Sequence, residues 1–208
     1  MSAFLGPIHL KMYERILYQD DMAQKILEFA MEKGWSNDFE NVVNAKTPAA
    51  SRKPLENIID DSNIHGWLSE AVAHCERRFA LTISSVLVDH PERLSDLLDI
   101  MRKMGEENAL PPSTDAEMAY QAVHDILLDG MPCDFPFANM DVDPDIAVWQ
   151  VASCPHAPYW IEAHCDADIY YQLRDAWMDG VLSESGITHQ RTAPHSHIIK
   201  RSIEMDSL

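Results

Sequence analysis

The sequence predicts an α+β fold: a helical N-terminal two-thirds packed on a small antiparallel sheet from the C-terminal third. Up to residue 130, apolar side chains mostly recur every three or four positions, as on one face of a helix. Beyond Gly130, apolar and β-branched runs lie between turn-forming clusters, which is typical of strands. Helices first and strands later favour α+β over alternating α/β. We expect one domain over residues 1–208, with a helical part (1–130) and a strand–helix–hairpin part (131–208).

The first two helices should be separated by a loop. The spacing predicts helix from Leu10 to Lys33, ended by Gly34. The polar stretch "SNDFENVVNAKTPAASRKP" contains two prolines and is expected to be a surface loop. The second helix should then begin after Asp61 or Ser62.

Capping signals place two further helices before residue 130. Asp89 is the expected cap of the third, whose one-sided apolar stripe ends at Gly105. Thr114 and Glu117 have the spacing of a capping box for the fourth, which we expect to end at Gly130.

Three strands and one helix are expected in the C-terminal part. The run "IAVWQVASC" lies between "DVDPD" and a proline and predicts a strand. Asp166 should cap a helix that ends near Gly186. "ITHQRT" and "SHIIKRSIEM" predict two strands joined by a short turn at "APH".

Charge and composition restrict the partners. The net charge of −18 disfavours nucleic acid, because phosphate binding requires clustered Lys and Arg, and it disfavours anionic membrane surfaces as well. No apolar run approaches the roughly 18 residues that a membrane span needs, and the N-terminus lacks the features of an export signal. Four cysteines without such a leader predict reduced thiols in the cytoplasm.

The stretch "VASCPHAPYWIEAHCD" is the densest in potential ligands. Cys154 and His156 stand two apart at the end of the expected strand, so their side chains should share a face. His164 and Cys165 follow at the start of the next helix. Because zinc accepts thiolate and imidazole, Cys154, His156 and His164 form a candidate site for zinc or iron. The alternative is a buried thiol beside histidines that line a polar pocket.

"DGMPCDFPF" contains Cys133, a candidate nucleophile in an irregular loop. His156 or His164 could serve as its base. The neighbouring Asp134 would raise the pKa of the thiol by charge repulsion, and a packing role for Cys133 is the alternative.

Two pairs are candidates for substrate binding. His9 and His65 stand near the starts of two expected helices, where anions are favoured and an imidazole pKa is lowered; each could instead be a cap or a core residue. Tyr170 and Arg174 share a helix face, and Arg174 could bind a carboxylate or phosphate or pair with a nearby acid.

The histidines of the last hairpin form a further conceivable patch. His195 and His197 are two apart in "PHSH", and His189 precedes them on the neighbouring strand. A solvated hairpin edge is the stronger interpretation of this pattern.

The phrases "FLGPIH", "NIHGWL", "LLDGMPCD" and "YYQLRDAW" resemble those of a bacterial family of about this length that carries no assigned activity. More distantly, the C-terminal half is similar to the L-2-amino-thiazoline-4-carboxylate hydrolase family and the related vinyl-reductase-type small-molecule-binding domain. The resemblance implies helices before a small antiparallel sheet, and a reactive cysteine after a turn, which corresponds to Cys133. In those families the turn lies near the C-terminus, whereas here a longer segment follows it.

Three functional hypotheses remain. The first is a cytoplasmic enzyme, such as a hydrolase of a small anionic substrate, that uses a Cys/His or metal-centred site. The second is a protein that binds a metal or small ligand without turnover. The third is non-covalent haem binding through a histidine, because no C-x-x-C-H is present. A homodimer would be ordinary for such a chain.

Overall fold

The structure, a computed structural model, describes residues 5–131 and 137–201. Seven α-helices and a four-stranded antiparallel sheet lie in these ranges, and the sheet comes from the C-terminal region, so the expected α+β fold is confirmed. Cys133 lies outside the described residues. Within the described part of the chain, no helix has the length and apolar character needed to cross a membrane.

The helices and strands have the following bounds in chain order. The helices before the sheet are α1 Pro7–Glu32, α2 Phe39–Lys46, α3 Ile64–Leu87, α4 Leu94–Glu106 and α5 Ala116–Ile126. The remaining elements are β1 Phe137–Val142, β2 Ile146–Val151, α6 Ala157–Glu162, α7 Ala167–Leu182, β3 Ile187–Ala193 and β4 Ser196–Arg201.

The chain forms two compact units. The first contains α1, α2, α3, α6 and the segment after α5. One buried apolar cluster lies where α1 packs along α3, and it contains Met12, Ile16, Ile64, Leu68, Val72, Cys75, Leu128 and Met131. Complete burial of an aliphatic side chain of this size stabilises the folded state by roughly 1.5–3 kcal/mol. Cys75 is therefore a core residue, as expected.

A buried arginine connects three helices of the first unit. Arg78 on α3 is fully buried, and its Nε lies 2.9 Å from Oδ1 of Asp20 on α1. Its Nη1 donates to Oδ1 of Asn44 and to the Thr47 carbonyl, both at 2.7 Å. These contacts hold α2 in place, and they lie within the stretch that was expected to be a loop. That expectation was wrong because tertiary contacts, not local periodicity, stabilise this short helix.

The second unit contains the sheet, α7, and most of α4 and α5. The strands lie in the order β1-β2-β4-β3, and every neighbouring pair is antiparallel. Trp149, His197 and Ile199 are buried on one sheet face, and the aromatic ring of Tyr171 on α7 contacts His197 from that side. The hairpin predicted at the C-terminus is confirmed as β3 and β4.

Several boundaries differ from the sequence-based ones. The fourth helix is capped by Asp115, whose Oδ1 accepts from the Met118 amide at 2.8 Å, and not by Thr114. That helix ends at Ile126, before Gly130. The third helix ends at Glu106, one residue after the expected Gly105. Strand β1 and the short helix α6 were not predicted.

Candidate metal centre

Three potential metal ligands converge in the second unit: Asp175 on α7, His189 on β3 and His197 on β4. Pairing of β3 with β4 sets His189 opposite Ile199, two residues from His197, so the two imidazoles are diagonal neighbours on one face. That face is the inner one, and the His197 residue is only 1% exposed.

The two imidazoles have the spacing of ligands to one ion. Nε2 of His189 lies 3.1 Å from Nδ1 of His197. Zinc–nitrogen bonds of about 2.0–2.1 Å place neighbouring ligand atoms roughly 3–3.5 Å apart. The other ring nitrogen of His189, Nδ1, lies 3.9 Å from Oδ1 of Asp175. One ligand atom from each of the three side chains lies within 4.8 Å of the other two.

The surroundings keep His189 neutral, as a metal ligand must be. Burial, followed by the positive charges of Arg174 and Arg191, lowers the pKa of His189 to about 4. Burial raises the pKa of Asp175 to about 6, although the Arg191 guanidinium acts in the opposite direction. At neutral pH the group therefore offers an uncharged His189 imidazole and an Asp175 carboxylate that is mostly ionised.

Neighbouring side chains fix two of the three ligands. Trp149 pairs directly with His197 across β2 and β4, and their rings stack with centroids 5.0 Å apart and planes 12° from parallel. Nε of Arg191 donates to Oδ2 of Asp175 at 2.7 Å, and its Nη1 donates to Oδ1 of Asp168. Arg191 thus occupies one oxygen of Asp175 and leaves the other facing His189. Such supporting contacts orient metal ligands.

The centre opens on a shallow groove of about 540 Å³. Its walls carry Asp168, Asp175, Asp179, His189 and Arg191. Two imidazoles and one carboxylate are the donor set of several catalytic zinc sites and of iron(II) centres with open coordination positions. The residues present therefore fit zinc or iron(II).

His156 lies in the first unit, buried between two carboxylates. Its Nδ1 is 3.1 Å from both carboxylate oxygens of Glu76, and its Nε2 is 3.7 Å from Oδ1 of Asp129. Burial alone would lower the pKa of His156, but Glu76 and Asp129 outweigh it and raise the pKa to about 9. His156 is therefore an imidazolium at neutral pH.

The expected strand face shared by Cys154 and His156 is not formed. Strand β2 ends at Val151, and His156 is the N-cap of α6 with helical φ and ψ. The prolines of "CPHAP" explain the early end, since proline lacks the N–H of a strand ladder and favours the first turn of a helix.

The other members of the predicted Cys/His site have different surroundings. Cys154 is a half-buried free thiol in the second unit, whereas His156 and His164 belong to the first. His164 is exposed, two residues after the end of α6, with φ at 55°. The metal set that combines Cys154, His156 and His164 stays a prediction, as does catalysis by Cys133, His156 and His164.

The structure brings His9 and His65 together. Their ring centroids are 5.6 Å apart in an edge-to-face arrangement. The Gly6 amide donates to Nδ1 of His9 at 2.9 Å, so His9 acts as a cap at the start of α1. A shared ligand of these two histidines stays a prediction.

Tyr170 and Arg174 are both buried in the second unit. The charge of Arg174 reaches His189, as the lowered pKa of that imidazole shows. Their expected part in substrate binding stays a prediction.

Asp175 was not predicted from the sequence, and His189 and His197 were interpreted as part of a solvated hairpin edge. The signals that identify the inner face were the alternation itself and Trp149 on the neighbouring strand. Asp175 lies on a helix whose register against the sheet is not visible in the sequence. The chain matches no family model, no curated protein and no solved structure.

Proposed function

We propose that the protein binds one zinc or iron(II) ion through Asp175, His189 and His197 and uses it to hydrolyse a small molecule. The observation that carries the proposal is the convergence of these side chains, with one ligand atom of each within 4.8 Å of the others. Hydrolysis is taken as an expectation from the resemblance of the C-terminal half to the L-2-amino-thiazoline-4-carboxylate hydrolases, which itself implies a reactive cysteine at Cys133 rather than a metal.

The donor set selects the class of metal. Magnesium and calcium prefer oxygen ligands, whereas imidazole suits zinc and iron. Because Arg191 holds Oδ2 of Asp175, that carboxylate is left with a single oxygen for an ion. Three single-atom protein ligands leave room for a water molecule and a substrate.

A metal of this class supplies Lewis-acid activation of a water molecule. In the hydrolysis, the water oxygen bonds to an electrophilic carbon, the bond to the leaving group breaks, and a water proton ends on the leaving group. Asp179 lines the same groove with its side chain 46% exposed, so it is the candidate to carry that proton. Arg191 lines the same groove and is the cation that a small anionic substrate would meet there, although it already pairs with Asp168 and Asp175.

Metal binding without turnover is the second candidate. Arg191 lies between Asp168 and Asp175 and pairs with both, so it already neutralises much of the groove's charge. A site that keeps its carboxylates in ion pairs suits storage of an ion as well as catalysis.

We further expect a cytoplasmic homodimer. The molar mass from light scattering would test the dimer.

Metal content tests the proposal. Protein loaded with Zn²⁺ or Fe²⁺ and dialysed should retain one ion, and Asp175→Asn and His189→Gln should abolish retention. His195→Ala is the matched control, because His195 lies on the same hairpin but outside the ligand group. Cys154→Ala tests the ligand set expected from the sequence. Full retention by Asp175→Asn and His189→Gln, or loss only in Cys154→Ala, would contradict the proposed centre.

Turnover distinguishes the candidates. Hydrolysis of 4-nitrophenyl acetate should depend on added metal and disappear in His189→Gln. Stoichiometric metal without hydrolysis would support binding alone, whereas metal-independent hydrolysis that iodoacetamide blocks would indicate a thiol such as Cys133. A Soret band in the visible spectrum would indicate haem instead.

A further inference from the structure

A second cavity, of about 200 Å³, lies in the first unit. It is formed by the C-terminal end of α2, the middle of α3 and the helix α6. Two cations line it, Lys46 on α2 and Arg77 on α3, together with Tyr159 and Glu162 on α6. The cavity thus carries more positive than negative charge, in a chain whose net charge is −18.

Both cations carry N–H donors that make no hydrogen bond to the described residues. Nε of Arg77 donates to Oε2 of Glu162 at 3.0 Å, and the guanidinium carbon lies 5.4 Å from the centroid of the Tyr159 ring. These contacts leave Nη1 and Nη2 of Arg77 without a partner among the described residues, and Nζ of Lys46 likewise. A guanidinium that stacks on a ring and keeps two N–H edges open is suited to carboxylate or phosphate.

Two hydrogen bonds from α3 hold the walls in place. The carbonyl oxygen of Thr47 accepts from Nη1 of the fully buried Arg78 at 2.7 Å. The carbonyl oxygen of Ala163 accepts from Oγ of Ser84, also at 2.7 Å. Both acceptors line the cavity, so its two sides are attached to α3 independently of any ligand. A cavity formed before binding does not require the ligand to order it.

We infer that this cavity binds a small organic anion, with Lys46 and Arg77 on its carboxylate or phosphate and Tyr159 and Leu81 against its carbon skeleton. The volume is below the roughly 300–1,000 Å³ of sites for drug-sized ligands, which restricts the anion to the size of a single ring. Glu162 competes with the anion for Arg77. The inference does not depend on the metal centre, which belongs to the other unit.

Three single-ring probes test the inference: benzoate, phenyl phosphate and the neutral benzamide. Titrations of the full chain by NMR should show saturable binding of at least one anion and at least about tenfold weaker binding of benzamide, as expected for charged hydrogen bonds. The stronger of the two anions identifies the head group. Equal binding of all three probes, or binding of none, overturns the inference.

Variants locate the site. Lys46→Ala and Arg77→Gln should each weaken binding of the anion about fivefold or more, and Glu162→Gln should tighten it because Arg77 loses its competing carboxylate. Lys103→Ala and Glu70→Gln change charge by the same amounts on exposed helix positions outside the cavity, so they should leave affinity within about twofold. If the cavity variants shift affinity no more than these controls, the anion binds elsewhere and the inference fails.

Discussion

At the scale of single residues, the chemistry of His156 depends strongly on its neighbours. Removing it would leave Glu76 buried without a counter-charge and Asp129 without its imidazolium. Removing one partner of a buried charge pair destabilises a protein strongly, because the other charge stays buried and unpaired. Replacing the whole pair by apolar side chains often costs little. His156 is therefore expected to be more important for stability than any exposed histidine of the chain.

We expect His156→Gln to lower the free energy of unfolding by about 3–5 kcal/mol, because two carboxylates lose their counter-ion. Guanidinium chloride unfolding at pH 7 measures the change. His90→Gln is the control, since His90 forms only an exposed pair with Glu92 and should cost about 1 kcal/mol at most. Equal losses in the two variants would show that the contacts of His156 with Glu76 and Asp129 stabilise the protein no more than the exposed pair does.

The same triad predicts a pH dependence. The pKa of His156 is raised in the folded state to about 9, against about 6.5 in the unfolded chain, so the folded protein binds the proton more tightly. This contribution, about 3 kcal/mol, is fully present below pH 6.5 and is lost as the pH rises through 9. Between about pH 6.5 and pH 9, the free energy of unfolding should therefore fall more for the wild type than for His156→Gln. Parallel curves would contradict the assignment.

At the scale of elements, two glycines bring α4 and α7 into backbone contact. A Cβ on Gly105 would lie 2.0 Å from the Trp177 carbonyl oxygen, and one on Gly180 would lie 2.0 Å from that of Arg102. No flexible side chain can give way there, because the obstacle is backbone. The spacing of α7 from α4 therefore requires glycine at both positions.

Gly105→Ala and Gly180→Ala should each destabilise the protein by about 1–3 kcal/mol through overpacking. In an unconstrained helix the same substitution stabilises by roughly 0.5–1 kcal/mol. The sign of the change in unfolding free energy therefore distinguishes a close backbone contact from an unconstrained helix. Thermal unfolding is the measurement, with Ser69→Ala on an exposed face of α3 as the control. A raised melting temperature in either glycine variant would show that the helices can separate at little cost.

The sequence predicted long, periodic elements and missed those that depend on tertiary contacts. Apolar side chains mostly recur every three or four residues in α1, α3, α4 and α7, and side chains two residues apart share a face in β3 and β4. These patterns were visible in the sequence. Helix α2 was not, because its stability comes from Arg78 on another helix. Gly105 was interpreted as a helix end, and α4 does end one residue after it, but its close contact with α7 was not visible in the sequence.

The candidate site was predictable only in part, because local alternation shows in the sequence whereas tertiary contacts do not. Alternation placed His189 and His197 where they could share a face, but only the sheet order shows that Trp149 covers them. Asp175 joins them through the packing of α7, which no local pattern encodes. His156 was predicted as a metal ligand and as a base, which stay predictions, and its observed partners Glu76 and Asp129 are distant in the chain.

At the scale of the whole molecule, the net charge of −18 makes stability depend on salt. Raising ionic strength from about 0.01 to 0.1 M shortens the screening length from about 30 to 10 Å and weakens repulsion among exposed carboxylates. We expect the melting temperature to rise over this range, equally in sodium chloride and in choline chloride. A fall would mean that exposed ion pairs outweigh the repulsion between like charges.

The most direct measurement is a cobalt(II) titration followed by visible absorption, since cobalt replaces zinc and its spectrum reports the ligands. Wild type and His195→Ala should develop d–d bands that saturate at one equivalent, whereas Asp175→Asn and His189→Gln should not. Unchanged bands in those two variants, or no bands in the wild type, would contradict a metal centre at Asp175, His189 and His197.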